Sequence, residues 1–353
     1  MQNMVFCTLF DSNYYARGLL MYRSLCNVSK DFTFYVLAMD EECEKMLKSH
    51  GYENMKVINL DSFVEKMGLA TAKTDRKWNE FCWTCSSFLI DYVLTVCNEK
   101  ICTYIDSDMY FYSDPKCLLD EIGNCDVQII EHRFGKGIEG RHNEKYSGKY
   151  CVEFNTFKNN TESLKLLRWW ESKSLKSCSD DYSNKKVFGD QKYLDEWDGL
   201  NNVCVIQNPG AGIAPWNIGQ YRLASNSLNG IKIMKKGDRK VFDLIFYHFH
   251  SLKQIDEGVA NISVYERHWN VDQKLVEALY FPYLRKLEEI TPIKKNNDNT
   301  ASENRKKEIK SLSYYYEQIQ SDGFSNVLEN AYMRFCTIFR NRAFGKKNIV
   351  RYR

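Results

Sequence analysis

The chain has 353 residues, 44% of them hydrophobic and 14% aromatic, enough to bury a large core and too apolar for a disordered chain. No stretch approaches 18 uninterrupted apolar residues, which excludes a membrane-spanning helix, and a net charge of +3 is no signature of a nucleic-acid binder. That balance hides an asymmetry: from Thr291 onward 13 Lys and Arg face 6 Asp and Glu, a charge of +7, while the residues before it hold 36 against 40, or −4.

Thirteen cysteines, an odd number scattered along the chain, point to reduced thiols rather than a disulfide framework. Met1-Gln2-Asn3-Met4 runs straight into a strand, without the basic and apolar regions of an export signal. The expected location is cytoplasmic.

Val5 to Phe10 reads as a buried opening strand, followed by a polar turn, Asp11-Ser12-Asn13, and an amphipathic helix from Tyr14 to Leu25. Phe32 to Met39 is a second strand ending at Asp40, Glu41 to His50 a helix, and Met55 to Leu60 a third strand. This rhythm predicts an α/β fold with a mostly parallel sheet flanked by helices, whose ligands sit beyond the carboxyl ends of the strands. Those ends carry Thr8, Asp11 and Asn13, then Asp40. Ala70 to Val96 holds a charged patch (Lys73, Asp75, Arg76, Lys77) and then a long helix that leads into the stretch Ile101 to Tyr112. There a β-branched and aromatic run stops on Asp106-Ser107-Asp108. Beyond it the pattern predicts a short helix from Cys117 to Ile122, a strand from Val127 to Glu131, a strand from Tyr150 to Phe157 and a helix from Thr161 to Ser174. Phe188 to Trp197 reads as a turn that opens a helix capped by Asp190. Asn208 to Asn217 is a Gly- and Pro-punctuated aromatic loop, and Phe242 to Phe249 a last apolar strand running into His248 and His250. Lys294 to Lys310 is polar and charged, a linker or an exposed helix. Phe324 to Phe344 places Phe324, Leu328, Ala331, Tyr332, Phe335, Ile338 and Phe339 at helical spacing among Arg334, Arg340, Arg342, Lys346 and Lys347.

Residues i and i+2 of a strand point the same way, so Asp106 and Asp108 aim at one place. Two such carboxylates repel unless a cation lies between them, and a divalent ion with oxygen ligands answers that need. His248 and His250 also share a face, and with the aspartates they offer an oxygen and nitrogen donor set for Mn²⁺ or Mg²⁺. Lys253 lies close behind as a point charge for a phosphate. Tyr14 or Tyr15 could stack on a nucleobase, with Asp11 or Asn13 bonding its edge. Neither a Gly-x-Gly-x-x-Gly turn nor a Walker loop follows the first strand, so a bound nucleotide needs its phosphates neutralised another way.

Taken in order, Asp11-Ser12-Asn13-Tyr14, Tyr104-Ile105-Asp106-Ser107-Asp108, Phe188-Gly189-Asp190-Gln191-Lys192-Tyr193-Leu194-Asp195, the loop from Pro209 to Asn217, and Tyr247-His248-Phe249-His250 resemble the motifs of GT-A glycosyltransferases. The likeness is greatest to the retaining family-8-like bacterial nucleotide-diphospho-sugar transferases and covers roughly residues 4 to 255. It implies a GT-A catalytic domain over 1–255 and a helical C-terminal extension with a basic amphipathic tail over 256–353. It further implies a metal, Mn²⁺ or Mg²⁺, bridging Asp106, Asp108 and a histidine to the diphosphate of a nucleotide sugar such as a UDP-sugar. The family's His-Phe-x-Gly pattern lands best on His248, although Ser251 stands where Gly is expected, which keeps His250 open. Thr8, Asp11 and Tyr14 would line the base pocket, with Asn13 and Ser107 near the nucleotide. Arg76 is a donor-side candidate, and Asp190 and Gln191 would sit beside the transferred sugar. A retaining reaction needs no strong enzymic base, whereas Asp190 could instead act as base or nucleophile, which leaves the stereochemistry open. The acceptor implied is a glycan or a lipid-linked glycan of a bacterial surface polysaccharide, and the tail would serve peripheral membrane contact or else cap the catalytic domain. A nucleotidyltransferase, or a non-catalytic binder of nucleotide sugars or glycans, is the alternative.

Overall fold

The computed structural model describes residues 3–179, 187–227, 230–290 and 324–352. It opens as the hydrophobic rhythm predicts, with β1 (Met4–Phe10), α1 (Tyr15–Val28), β2 (Phe32–Ala38), α2 (Glu41–Ser49) and β3 (Met55–Asn59). β1 is buried at every position, as befits a strand covered on both faces. Three helices then return the chain to the middle of the sheet: α3 (Leu60–Met67), α4 (Ala70–Asp75) and α5 (Trp78–Asp91). The long helix expected after the charged patch starts where the patch ends, but its last turn, up to Val96, is not α-helical. Arg76 and Lys77 are extended between α4 and α5, and Tyr92–Val96 is a π-helical turn.

β4 (Ile101–Ile105) and β5 (Met109–Phe111) flank the Asp106–Asp108 turn. They are followed by α6 (Lys116–Asp120), β6 (Val127–Glu131), α7 (Ile138–Ser147), β7 (Tyr150–Lys158), α8 (Thr161–Lys176) and a 3₁₀ turn at Gln191–Trp197. With β8 (Val203–Val205) the main sheet is complete, in the order β3-β2-β1-β4-β7-β6-β8. Only β7 runs against the others. The expected architecture, a mixed and mostly parallel sheet flanked by helices, is the one observed. Phe63, Phe81, Leu89, Trp170 and Trp197 fill one face of the sheet, and Met21, Leu25, Phe34 and Phe154 belong to a second buried cluster.

The remaining strands form smaller sheets. β9 (Tyr221–Ser227), β10 (Gly230–Lys235) and β11 (Val241–Asp243) make one. β12 (Phe246–His248) pairs with β5, and β13 (Lys253–Asp256) with β14 (Val259–Asn261). The single strand expected over Phe242 to Phe249 is therefore two strands in different sheets. The chain changes partner between them, since Leu244 N–H donates to Ile231 O and Ile245 N–H to Gly210 O, both at 2.9 Å. The approach is so close that a Cβ on Gly210 would lie 2.0 Å from the carbonyl oxygen of Asp243.

α9 (Gln273–Ile290) packs Leu279, Tyr280 and Tyr283 against Tyr247 and Phe249. α10 (Phe324–Phe344) is the expected tail helix, and β15 (Ile349–Arg351) pairs with β14. Lys294 to Lys310 lies outside the described residues. All thirteen cysteines are free. Cys82 and Cys85, a C-x-x-C pair within α5, have thiols pushed up by burial, Cys82 to about 12, the opposite of a reactive redox pair.

Candidate functional site

The apolar residues of β4 end at Ile105, and the turn Asp106–Asp108 leads into β5, which pairs antiparallel with β12 so that His248 stands opposite Met109. The backbone closes the corner: Phe249 N–H donates to Asp108 O at 2.8 Å and His248 N–H to Ile213 O at 3.0 Å. The two arms that the sequence separates by 140 residues are thus one local structure. His248 Nε2 lies 2.9 Å from Asp108 Oδ1 and 3.9 Å from Asp106 Oδ2. Donor atoms of Asp108, His248 and His250 all fall within 4.8 Å of one another.

On its other side, His248 Nδ1 is 2.6 Å from Oε2 of Glu153, a fully buried carboxylate on β7. Burial alone would depress the imidazole, but Asp108 and Glu153 more than offset it and hold its pKa well above 6.5. Burial likewise pushes the Asp108 carboxyl up, and His248 more than reverses this, leaving it below the usual range. Asp106 responds differently. Its burial and the neighbouring Asp108 outweigh His248 and raise it to about 7. Burial lowers His250 to about 4, assisted by the charge of His248.

The Gly/Pro loop supplies the wall. Trp216 stands edge-on to both imidazoles, with centroids 5.3 Å from His248 and 5.6 Å from His250, and its Nε1 donates to His132 O at 2.8 Å. Asn217 Nδ2 donates to His132 O and Gly212 O. Arg133, itself left-handed with φ 52°, donates to the carbonyls of Ile206, Asn208 and Ala211.

Other predicted residues separate into those that gather here and those that do not. Tyr14 does: its hydroxyl is raised by burial and then by the charge of Asp108. Tyr15 instead bonds His50 at 2.6 Å. Asp11 accepts from Tyr14 N–H and Trp78 Nε1, both at 3.0 Å, and from Asn13 Nδ2 at 3.3 Å. Thr8 is fully buried with no partner for its hydroxyl. Asp40, a strand-end acid by sequence, caps α2 through Cys43 N–H at 2.7 Å and also accepts from Ser12. Ser107 forms the middle of the aspartate turn. Asp190 is buried with one carboxylate oxygen unpartnered, and burial and the charge of Asp106 raise it to about 7. It does not cap the following turn, as the sequence suggested, because its side chain bonds no backbone N–H there. Gln191 donates to Ser147 O at 2.8 Å. Arg76 is held by Thr84 and Leu175 O, and Lys253 is exposed on β13.

Two residues passed over by the sequence reading belong to the site. Glu153 was hidden inside an apolar strand, Tyr150 to Phe157. Arg17 lies over the Tyr14 ring, 4.5 Å from its centroid, donates to Leu252 O at 2.7 Å, and helps to depress Asp108. Its position three residues beyond Tyr14 at a helix start was the available signal.

An Asp/His/His or Asp/Asp/His set of oxygen and nitrogen donors fits a divalent cation. No protein-family model matches the chain. Two relatives from Bacillus subtilis (strain 168) are similar to it. The uncharacterized protein YfnF is 29% identical over 267 residues, 71% of this chain and 85% of its own. The uncharacterized protein YfnD is 25% identical over 293 residues, 81% and 89% respectively. Among solved structures, the galactosyltransferase LgtC in complex with donor and acceptor sugar analogs matches at TM-score 0.48 and 16% identity, over 83% of this chain and 98% of that one. Mouse xyloside xylosyltransferase 1 matches at TM-score 0.45 and 10% identity, over 70% and 98%. The glycosyltransferase GlyE of Streptococcus pneumoniae TIGR4 matches at TM-score 0.41 and 16% identity, over 59% of this chain and 46% of GlyE, so the chain spans less than half of that protein.

Proposed function

We propose that the protein is a metal-dependent glycosyltransferase that moves a sugar from a nucleotide-diphosphate donor to a glycan or lipid-linked acceptor. The observation that carries this reading is the convergence of Asp108, His248 and His250 within 4.8 Å, beside Asp106, at the carboxyl edge of the central sheet. Asp108 and His248, with Asp106 or His250, would hold the cation. When bound, a divalent cation supplies charge neutralisation for a departing diphosphate.

The chain's own residues account for the rest. Tyr14 offers a face for the base, with Arg17 over its ring as a fixed positive charge, and Asp11 offers an acceptor for its edge. Lys253, next to the Leu252 carbonyl that Arg17 holds, is the mobile cation for phosphate. Trp216 packs edge-on against both histidines, beside buried His248 and exposed His250. Asp190, whose burial raises it to about 7, and Gln191 face the sugar side in this reading. Holding donor and acceptor in line is worth up to ~7–11 kcal/mol in well-oriented cases. A UDP-hexose or UDP-N-acetylhexosamine donor, Mn²⁺ as the ion, retention of configuration and a role in surface polysaccharide synthesis complete the proposal.

The test is release of free nucleotide diphosphate from a panel of nucleotide sugars with Mn²⁺. Release by the wild-type chain, and its loss by at least 100-fold in Asp108→Ala, is the expected result; unchanged release in the variant sinks the reading. Pyrophosphate exchange would move it to a nucleotidyltransferase, and binding without turnover to a non-catalytic sugar-nucleotide binder.

A further inference from the structure

We propose that Glu153 is the positioning residue of the metal centre, holding His248 by Nδ1 so that Nε2 faces the aspartates. The inference rests on the metal-dependent reading above and adds a residue that lies outside every motif that suggested it.

Glu153 touches both arms of the site. Its backbone carbonyl accepts from Asp106 N–H at 3.2 Å, and its Oε2 lies 2.6 Å from His248 Nδ1. The side chain has no solvent exposure, and its other oxygen has no hydrogen-bond partner among the described residues. Its neighbours on β7, Tyr150, Cys151, Val152 and Phe154, are also buried. A lone buried carboxylate is costly, and an apolar strand has no packing use for one.

A purely structural ion pair does not explain the arrangement. Three carboxyl groups, Asp106, Asp108 and Glu153, lie 3.9, 2.9 and 2.6 Å from one imidazole, and Arg17 is the further cation that acts on Asp108. That cluster of carboxyl groups suits a divalent cation at Nε2. Metal-bound histidines commonly donate their second ring N–H to a carboxylate, which fixes the tautomer and makes the ligating nitrogen more basic. His250 has no such partner among the described residues: its ring meets Trp216 and His248 edge-on. The motif placed the ligand best on His248 but kept His250 open. Glu153 selects His248 as the oriented ligand and leaves His250 as the adjustable one.

Mn²⁺ binding to the full chain without donor tests the assignment, followed by the electron paramagnetic resonance signal of free Mn²⁺. His248→Ala serves as the reference for loss of a ligand. Glu153→Leu, which removes the acceptor, should weaken Mn²⁺ binding by roughly 10–100-fold. Glu153→Gln, which keeps an acceptor oxygen but loses the charge, should weaken it less, by about tenfold. A structural role alone would lower the melting temperature of these variants and leave the dissociation constant where it was. If His248→Ala weakens binding while a folded Glu153→Leu binds as wild type does, the inference falls and the metal reading stands. Should Glu153→Leu fail to fold, Glu153→Gln decides on the same criterion. If His248→Ala and Asp108→Ala both bind as wild type does, the metal reading and the inference fall together.

Discussion

Asp91 and Glu171 show how differently the fold treats carboxylates that serve packing and those that serve the site. They lie on α5 and α8, 8% and 7% exposed, each with one oxygen unpartnered. Burial and then the charge of Asp91 raise Glu171 to about 8, and burial raises Asp91 against the pull of Arg168. A carboxyl whose folded pKa is raised binds its proton more tightly folded than unfolded. Stability therefore falls as pH climbs from the unfolded value of roughly 4.3 toward 8, and levels off above it. Glu171→Gln removes that penalty. Its melting temperature should match wild type near pH 4 and exceed it at pH 8, by a stability gain on the order of 1–3 kcal/mol. Equal pH dependence in the two proteins would refute this. At the site the same burial is countered by His248, and Asp108 stays charged. From sequence, Asp106, Asp108 and His248 were legible because polar residues at strand ends stand out against apolar runs. Glu153 and Glu171 were not, because a buried acid inside an apolar strand or an amphipathic helix carries no local sign of its partner.

At the scale of elements, the regular α/β alternation was readable and the small irregular pieces were not. Strands such as Phe32 to Ala38 are long, apolar and bounded by turns, so their type follows from pattern. The stretch Phe242 to Phe249 looks equally uniform, yet it splits because its two halves find different partners, a tertiary choice no local pattern encodes. The Asn208 to Asn217 loop illustrates the reverse. Its Gly and Pro residues announced a rigid loop, and the structure explains the rigidity through Arg133, Asn217 and the contact of Gly210 with Asp243. Gly210→Ala would place a Cβ against backbone, which cannot yield as a side chain tip can. The variant should lose about 2–4 kcal/mol of stability, in the range of other overpacking and backbone-strain changes. Because Ile245 and His248 hang from this loop by backbone hydrogen bonds, it should also lose Mn²⁺ affinity. Urea denaturation with a Mn²⁺ titration checks both, and a variant as stable as wild type would contradict the packing argument.

For the molecule as a whole, the question is which way the basic tail helix faces. Reading the spacing alone, its aromatic stripe could have docked on the body, with Arg340 among the cations left outside. The structure turns α10 the other way. Leu328, Tyr332, Phe335, Ile338 and Phe339 are 43–64% exposed. Arg340 is buried instead, 3% exposed, with its guanidinium on both oxygens of Glu139 at 2.8 and 2.6 Å and on Glu266 O at 3.0 Å. It also lies over the Trp269 ring, 5.1 Å from the centroid. Arg340 is thus a clamp, and the cations left around the apolar stripe include Arg342, Lys346 and Lys347. Among the described residues, no helix is long and apolar enough to cross a membrane; an exposed apolar stripe flanked by cations is the surface an amphipathic helix presents to an anionic membrane. Two variants separate clamp from stripe. Arg340→Met should release α10, raising its proteolytic cleavage rate while lowering stability by about 1–3 kcal/mol, since Glu139 loses its partner but keeps some solvent. Replacing Phe335 and Phe339 by Ser should leave stability within about 0.5 kcal/mol and cut pelleting with phosphatidylserine vesicles by tenfold or more. Equal pelleting by that double variant removes the membrane role, and an unchanged cleavage rate in Arg340→Met shows that α10 is held by something other than the Glu139 pair.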